Sequence, residues 1–95
     1  MTMTLILKDP AALLDYAVDW GADYLTNDTI DTSAWTIDPA EAGGITVSSS
    51  ETELTVARVT VGGGIAGRVY RLVNHVVFLS GRQDQRSIVV RVEPR

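Results

Sequence analysis

Apolar side chains recur at every second position through most of this chain, and residues that favour turns cut the runs into short pieces. A strand sends successive side chains to opposite faces, whereas a helix repeats every 3.6 residues, so this period predicts strands. Ala12, Leu14, Tyr16, Val18 and Trp20 alternate with positions that include Asp15 and Asp19. The Ala-Ala-Leu-Leu run after Pro10 has helical propensity, but the alternation through Trp20 decides for a strand over 12–20. The same reading predicts strands over 2–7, 29–38, 45–48, 53–61, 67–79 and 85–93. Pro10, Asp38-Pro39, Gly43-Gly44, the polar run Ser48 to Glu51, Gly62-Gly63-Gly64 and Ser80-Gly81-Arg82 supply the breaks. One helical turn that buries Leu25 is expected in the connection 21–28.

Seven short strands in 95 residues predict one domain over 1–95, all-β, an immunoglobulin-like sandwich of about seven antiparallel strands. Trp35 falls in the middle of the third strand, where such sandwiches bury a tryptophan, and Tyr70 precedes Leu72 by two, as in a tyrosine corner. The expected core brings Trp35, Tyr70 and Leu72 together, with Val18 facing them. Leu72 and Val18 fill the space that a disulfide takes in antibody domains.

The chain has no cysteine and one histidine, which excludes thiolate zinc sites, cysteine nucleophiles and histidine-rich metal centres. No apolar run reaches the ~18 residues of a membrane span, and the start lacks the basic segment of a signal peptide. No cofactor and no small-molecule substrate are expected. The net charge of −4 argues against nucleic acid. It conceals a division. Residues 1–57 hold Lys8 as their one base against ten acids, while 58–95 hold seven arginines against Asp84 and Glu93. The charges either mix over one surface or make a polar molecule that stacks on its own copies.

Three segments carry a resemblance: Leu14 to Trp20 (LDYAVDW), Asp28 to Ile37 (DTIDTSAWTI) and Gly62 to Tyr70 (GGGIAGRVY). With Ser80-Gly81-Arg82 and the closing alternating strand, they resemble the small tailed-bacteriophage proteins called fiber-tail adaptors. The resemblance spans nearly the whole chain. It implies a non-enzymatic virion component with an immunoglobulin-like sandwich, at the neck, tail or fiber attachment region. It implies as partners other copies of the chain and other phage structural proteins (portal or connector, tail, fiber), and a location in the virion and, during assembly, the bacterial cytoplasm. This chain departs from the expected pattern at Val73, Val77 and Leu79, where threonines would stand.

The remaining motifs read as structure. The glycine run is followed by a strand and has no lysine beside it, so it is a turn and not a phosphate cradle. Asp19, Asp23, Asp28 and Asp31 lack the spacing of a calcium loop, and Asp28 is expected to bond backbone in a turn. Paired carboxylates have no groove to serve a glycosidase. Tyr16, Trp20, Tyr24, Trp35 and Tyr70 fall on or beside inward positions and belong to the core, although a sugar platform is the alternative. The stretch 67–79 differs, because both of its faces are largely apolar. Either another segment covers the second face or that face meets a protein. The candidate interface residues are therefore Val73, His75, Val77, Leu79 and Arg71, with Arg82 and Arg86 as a basic flank and Asp15 and Asp19 as its acidic counterpart. A carbohydrate-binding module of a receptor-binding apparatus is the alternative function, and it would expose an aromatic.

Overall fold

Where alternation predicted strands, the chain folds into two packed sheets. The computed structural model describes residues 4–23 and 28–94. Its elements are β1 (Thr4–Lys8), β2 (Leu14–Asp19), a single helical turn α1 (Trp20–Asp23), β3 (Ile30–Asp38), β4 (Ile45–Glu53), β5 (Val56–Gly63), β6 (Val69–Phe78) and β7 (Gln83–Val92). One sheet has the order β1-β7-β6-β3 and the other β2-β5-β4. The all-β sandwich of seven strands is as the sequence predicts.

The sequence predicts four details differently. The strands are not all antiparallel: β1 runs parallel to β7, from Thr4 beside Ile88 to Lys8 beside Val92. Between β1 and β2 the chain crosses to the other sheet, so no hairpin fixes the direction of β1. The serine run is not a turn but part of the nine-residue β4. β4 is a sheet edge with only Ile45 buried, so serines are tolerated on both of its faces. The turn lies instead at Leu54-Thr55, between paired Glu53 and Val56. The helical turn follows β2 directly. Leu25 and Tyr24 lie outside the described residues, as do the first residues of the predicted opening strand.

The fourth difference concerns the core. Tyr70 and Leu72 are fully buried with Ile45, Val59, Val61, Ile88, Val90 and Val92. Val18 belongs to a second cluster with Trp20, Ala57, Val76 and Phe78, and Trp35 is half-buried against both clusters. The enclosed tryptophan is thus Trp20, at 1% exposure. Its indole Nε1 donates to Asn74 Oδ1 at 3.0 Å, and Asn74 Nδ2 donates to Ser33 Oγ at 2.8 Å. Phe78 meets the ring edge-on at 6.0 Å. Trp35 Nε1 is buried and finds no acceptor among the described residues.

Two polar side chains pin one end of the sandwich. The Tyr70 hydroxyl donates to Glu41 Oε1 at 2.7 Å and accepts from the Ile65 amide at 3.1 Å. This is the expected tyrosine corner, and burial pushes the phenol above its ordinary value of 10.0. Lys8, the only lysine, is covered to 2% exposure and donates to the carbonyls of Gly63 (2.7 Å) and Asp9 (2.9 Å). Burial lowers its pKa. Gly63 adopts φ +74°, and a Cβ there would stand 2.8 Å from the Gly44 carbonyl oxygen, so the glycine run serves close backbone packing.

Candidate functional site

The doubly apolar stretch resolves into an inner and an outer face of β6. Tyr70, Leu72, Asn74, Val76 and Phe78 point inward and are buried. Val69, Arg71, Val73, His75 and Val77 point outward, with Val73, His75 and Val77 half-covered by their cross-strand neighbours. Antiparallel pairing sets Val73 between Thr36 and Ser87, His75 between Ala34 and Gln85, and Val77 between Thr32 and Gln83. The centre of this outer face therefore carries no carboxylate, lysine or arginine.

Charge gathers toward one margin. Arg71 lies between Asp38 and Val89, and its Nε donates to Ser87 Oγ at 3.1 Å. Arg91 pairs with Glu93 at 2.7 Å. Beside them β1 adds Leu5, next to Val89, and Leu7, next to Arg91, which are 62% and 43% exposed. β1 thus extends the sheet at its edge and does not cover the face. The result is a field of valine, threonine and glutamine around His75, with an apolar edge.

The other interface candidates lie elsewhere. Leu79 and Arg82 belong to the β6–β7 hairpin, and Leu79 is 69% exposed. Arg86 points inward, and its guanidinium lies 4.7 Å from the centre of the Trp20 ring. It covers the core and is not part of an exposed basic flank, a correction that follows from its pairing opposite buried Asn74. Asp15 and Asp19 project from β2, in the opposite sheet. Asp15 accepts from Thr60 Oγ1 at 2.6 Å, and Asp19 from the Gly21 amide at 2.9 Å and Thr55 Oγ1 at 3.3 Å. An open groove of about 490 Å³ lies there, lined by Asp15, Tyr16, Ala17, Ser49, Ser50, Glu51, Arg58, Val59 and Thr60.

Asp28 bonds backbone as expected and does more. Its Oδ1 accepts from the Thr29 and Ser80 amides, and its Oδ2 from Ser80 Oγ at 2.6 Å. The serine hydroxyl holds this carboxyl below its ordinary 3.8 and fastens the segment before β3 to the β6–β7 hairpin. Among the described residues no aromatic side chain is exposed. Trp20, Tyr70 and Phe78 are buried, and Tyr16 and Trp35 are half-buried.

The sequence did not single out Leu54, which the fold leaves 71% exposed in the β4–β5 turn with φ +53°. Nor did it reveal the row Thr32, Ala34 and Thr36 that β3 adds to the outer face. Both depend on register, for which these residue types give no signal.

Comparison with known proteins adds three findings. The model of a family described as podophage GP4 fiber-tail adaptor protein gp77 matches residues 8–91. The solution structure of the PKD domain from KIAA 1837 protein superposes with a TM-score of 0.55 at 18% identity, over 98% of this chain and 81% of that one. A likeness at this identity shows the fold alone, an immunoglobulin-like sandwich. No curated protein sequence matches the chain.

Proposed function

We propose that this chain, which belongs to the podophage GP4 fiber-tail adaptor family, joins virion proteins through the outer face of its β1-β7-β6-β3 sheet and does so in several symmetric copies. Membership makes it a structural component of the phage particle, in contact with other phage structural proteins. The observation that carries the finer reading is the outer face of β6: a field without carboxylate, lysine or arginine around Val73, His75 and Val77 that no described segment of the chain covers.

The opposed faces suggest how copies meet. Arg71 stands on one outer face and Asp15 and Asp19 on the other. A contact between unlike faces of successive copies closes into a ring when the rotation permits. Exposed ion pairs contribute only ~0–1 kcal/mol each, so they set register while the valines supply affinity. Arg86 has no part in this contact, since it lies against Trp20. The sugar-binding alternative has no fully exposed aromatic among the described residues, and the half-buried Tyr16 lines the open groove.

Val77→Asp tests the reading. The isolated domain should keep its melting temperature within a few degrees, because the side chain is outside the core, and should be missing from purified particles. A Val77→Asp chain that unfolds, or that enters particles as the wild type does, would overturn the proposal.

A further inference from the structure

Two leucines at one end of the sandwich lie outside both core clusters of the described residues. Leu54, in the β4–β5 turn, is 71% exposed, and Leu79, in the β6–β7 hairpin, is 69% exposed. They belong to different sheets, yet the segment 28–30 joins their backbones. The Ile30 amide donates to the Leu54 carbonyl at 2.8 Å, and the Leu79 amide donates to the Thr29 carbonyl at 2.9 Å.

Leu54 also holds an unfavourable backbone conformation. Leu54-Thr55 is a two-residue hairpin loop between paired Glu53 and Val56, and φ is +53° at its first position. Glycine is the usual occupant there, because a Cβ crowds the backbone at positive φ. A leucine that buried its side chain could offset that strain by packing. This one remains mostly in water, so burial of its side chain does not offset the strain.

Both turns are held firmly. The Thr55 carbonyl accepts from the Trp20 amide at 2.9 Å, and Thr55 Oγ1 bonds Asp19. Across the segment, Ser80 is fixed by Asp28 through its amide and hydroxyl. The leucines are thus presented in a preset arrangement, which reduces the ordering cost of a contact. Three acids flank them, Asp19 on Thr55, Asp28 on Ser80 and Glu53 before Leu54, and Arg82 lies near Asp28.

We infer that Leu54 and Leu79 form a rigid apolar tip that inserts into an apolar recess, rimmed by basic residues, on a different protein of the particle. This rests on the adaptor reading and adds a second contact surface to it. A second copy of the chain is the poorer receptor. The groove described above is lined by Asp15, Glu51 and Arg58, so it offers a charged lining to an acidic-rimmed apolar tip.

The test uses particles prepared without this chain, to which labelled purified chain is added back and co-sedimentation is measured against concentration. Burying a leucine is worth roughly tenfold or more in affinity. Leu54→Gly with Leu79→Ser should therefore raise the half-saturating concentration about a hundredfold, while the variant melts no lower than the wild type because Leu54→Gly relieves the turn. Glu53→Lys should weaken binding, and added salt should reduce its effect. If the double variant binds as the wild type does, or loses self-association while keeping its affinity for particles, the tip inference is overturned. If the wild-type chain itself does not bind the particles, the adaptor reading fails.

Discussion

Trp20→Phe should destabilise the domain severely, and Trp35→Phe hardly at all. The enclosed indole of Trp20 donates to Asn74 Oδ1 at 3.0 Å, carries Arg86 at 4.7 Å from its ring and meets Phe78 edge-on. Phenylalanine removes the donor and leaves a buried amide oxygen without it, at a cost of about 1–3 kcal/mol. The smaller ring also leaves a void, for about 1–2 kcal/mol more. At ~4–8 °C per kcal/mol for a domain of this size, the melting temperature should fall by roughly 8–40 °C. At position 35 the N–H has no acceptor among the described residues, so its removal loses no bond and lightens a desolvation penalty. Trp35→Phe should stay within about 1 kcal/mol of the wild type. Urea unfolding followed by the fluorescence of the remaining tryptophan reports each variant separately. A double-mutant cycle of Trp20→Phe with Asn74→Ala should show a coupling of about 1 kcal/mol. Equal losses at positions 20 and 35, or no coupling to Asn74, would refute this account of the core.

Asp28 links stability to acid. Its folded pKa lies below the ordinary 3.8, so its contribution is fully present above that value and is lost as pH falls through the depressed one. Asp28→Asn should flatten the acid side of the melting temperature profile, and parallel profiles would disprove the link. Tyr70 acts at the other extreme: its raised pKa means stability present below pH 10.0 and lost as pH climbs through the folded value. Tyr70→Phe should remove that alkaline dependence and cost about 1–3 kcal/mol at neutral pH, since the Ile65 amide and Glu41 lose a shared partner.

What could be read from the sequence follows from what periodicity encodes. Alternation along β2, β6 and β7 places side chains in or out correctly because each of these strands has one buried face, and Tyr70 and Leu72 fall where a tyrosine corner requires. Direction is not encoded in a period of two, so β1 gave no sign of running parallel. Ser48 to Ser50 read as a turn because an exposed edge strand need not alternate. Trp20 and Trp35 are each followed by a polar or small residue, and only the helical turn after β2, which carries the indole onto Asn74, separates them. Arg86 read as surface because its charge outweighed its inward register, whereas its long side chain covers Trp20. In the candidate interface, Val73, His75 and Val77 came from the double alternation, but the threonines and glutamines beside them are visible only once the strands are paired.

The parallel ladder between β1 and β7 has a mechanical consequence. Thr4 pairs with Ile88 and Lys8 with Val92, so Thr4 and Val92 lie at opposite ends of the shared ladder. Tension applied between those two residues runs along the strands. It strains every rung together, in shear, whereas an antiparallel hairpin pulled from its open end unzips one rung at a time. The Glu93 amide to the Lys8 carbonyl, at 2.9 Å, and the Lys8 amine on the Gly63 carbonyl add attachments at one end of that ladder. The direction in which β1 runs makes this sandwich stiff along the line from Thr4 to Val92.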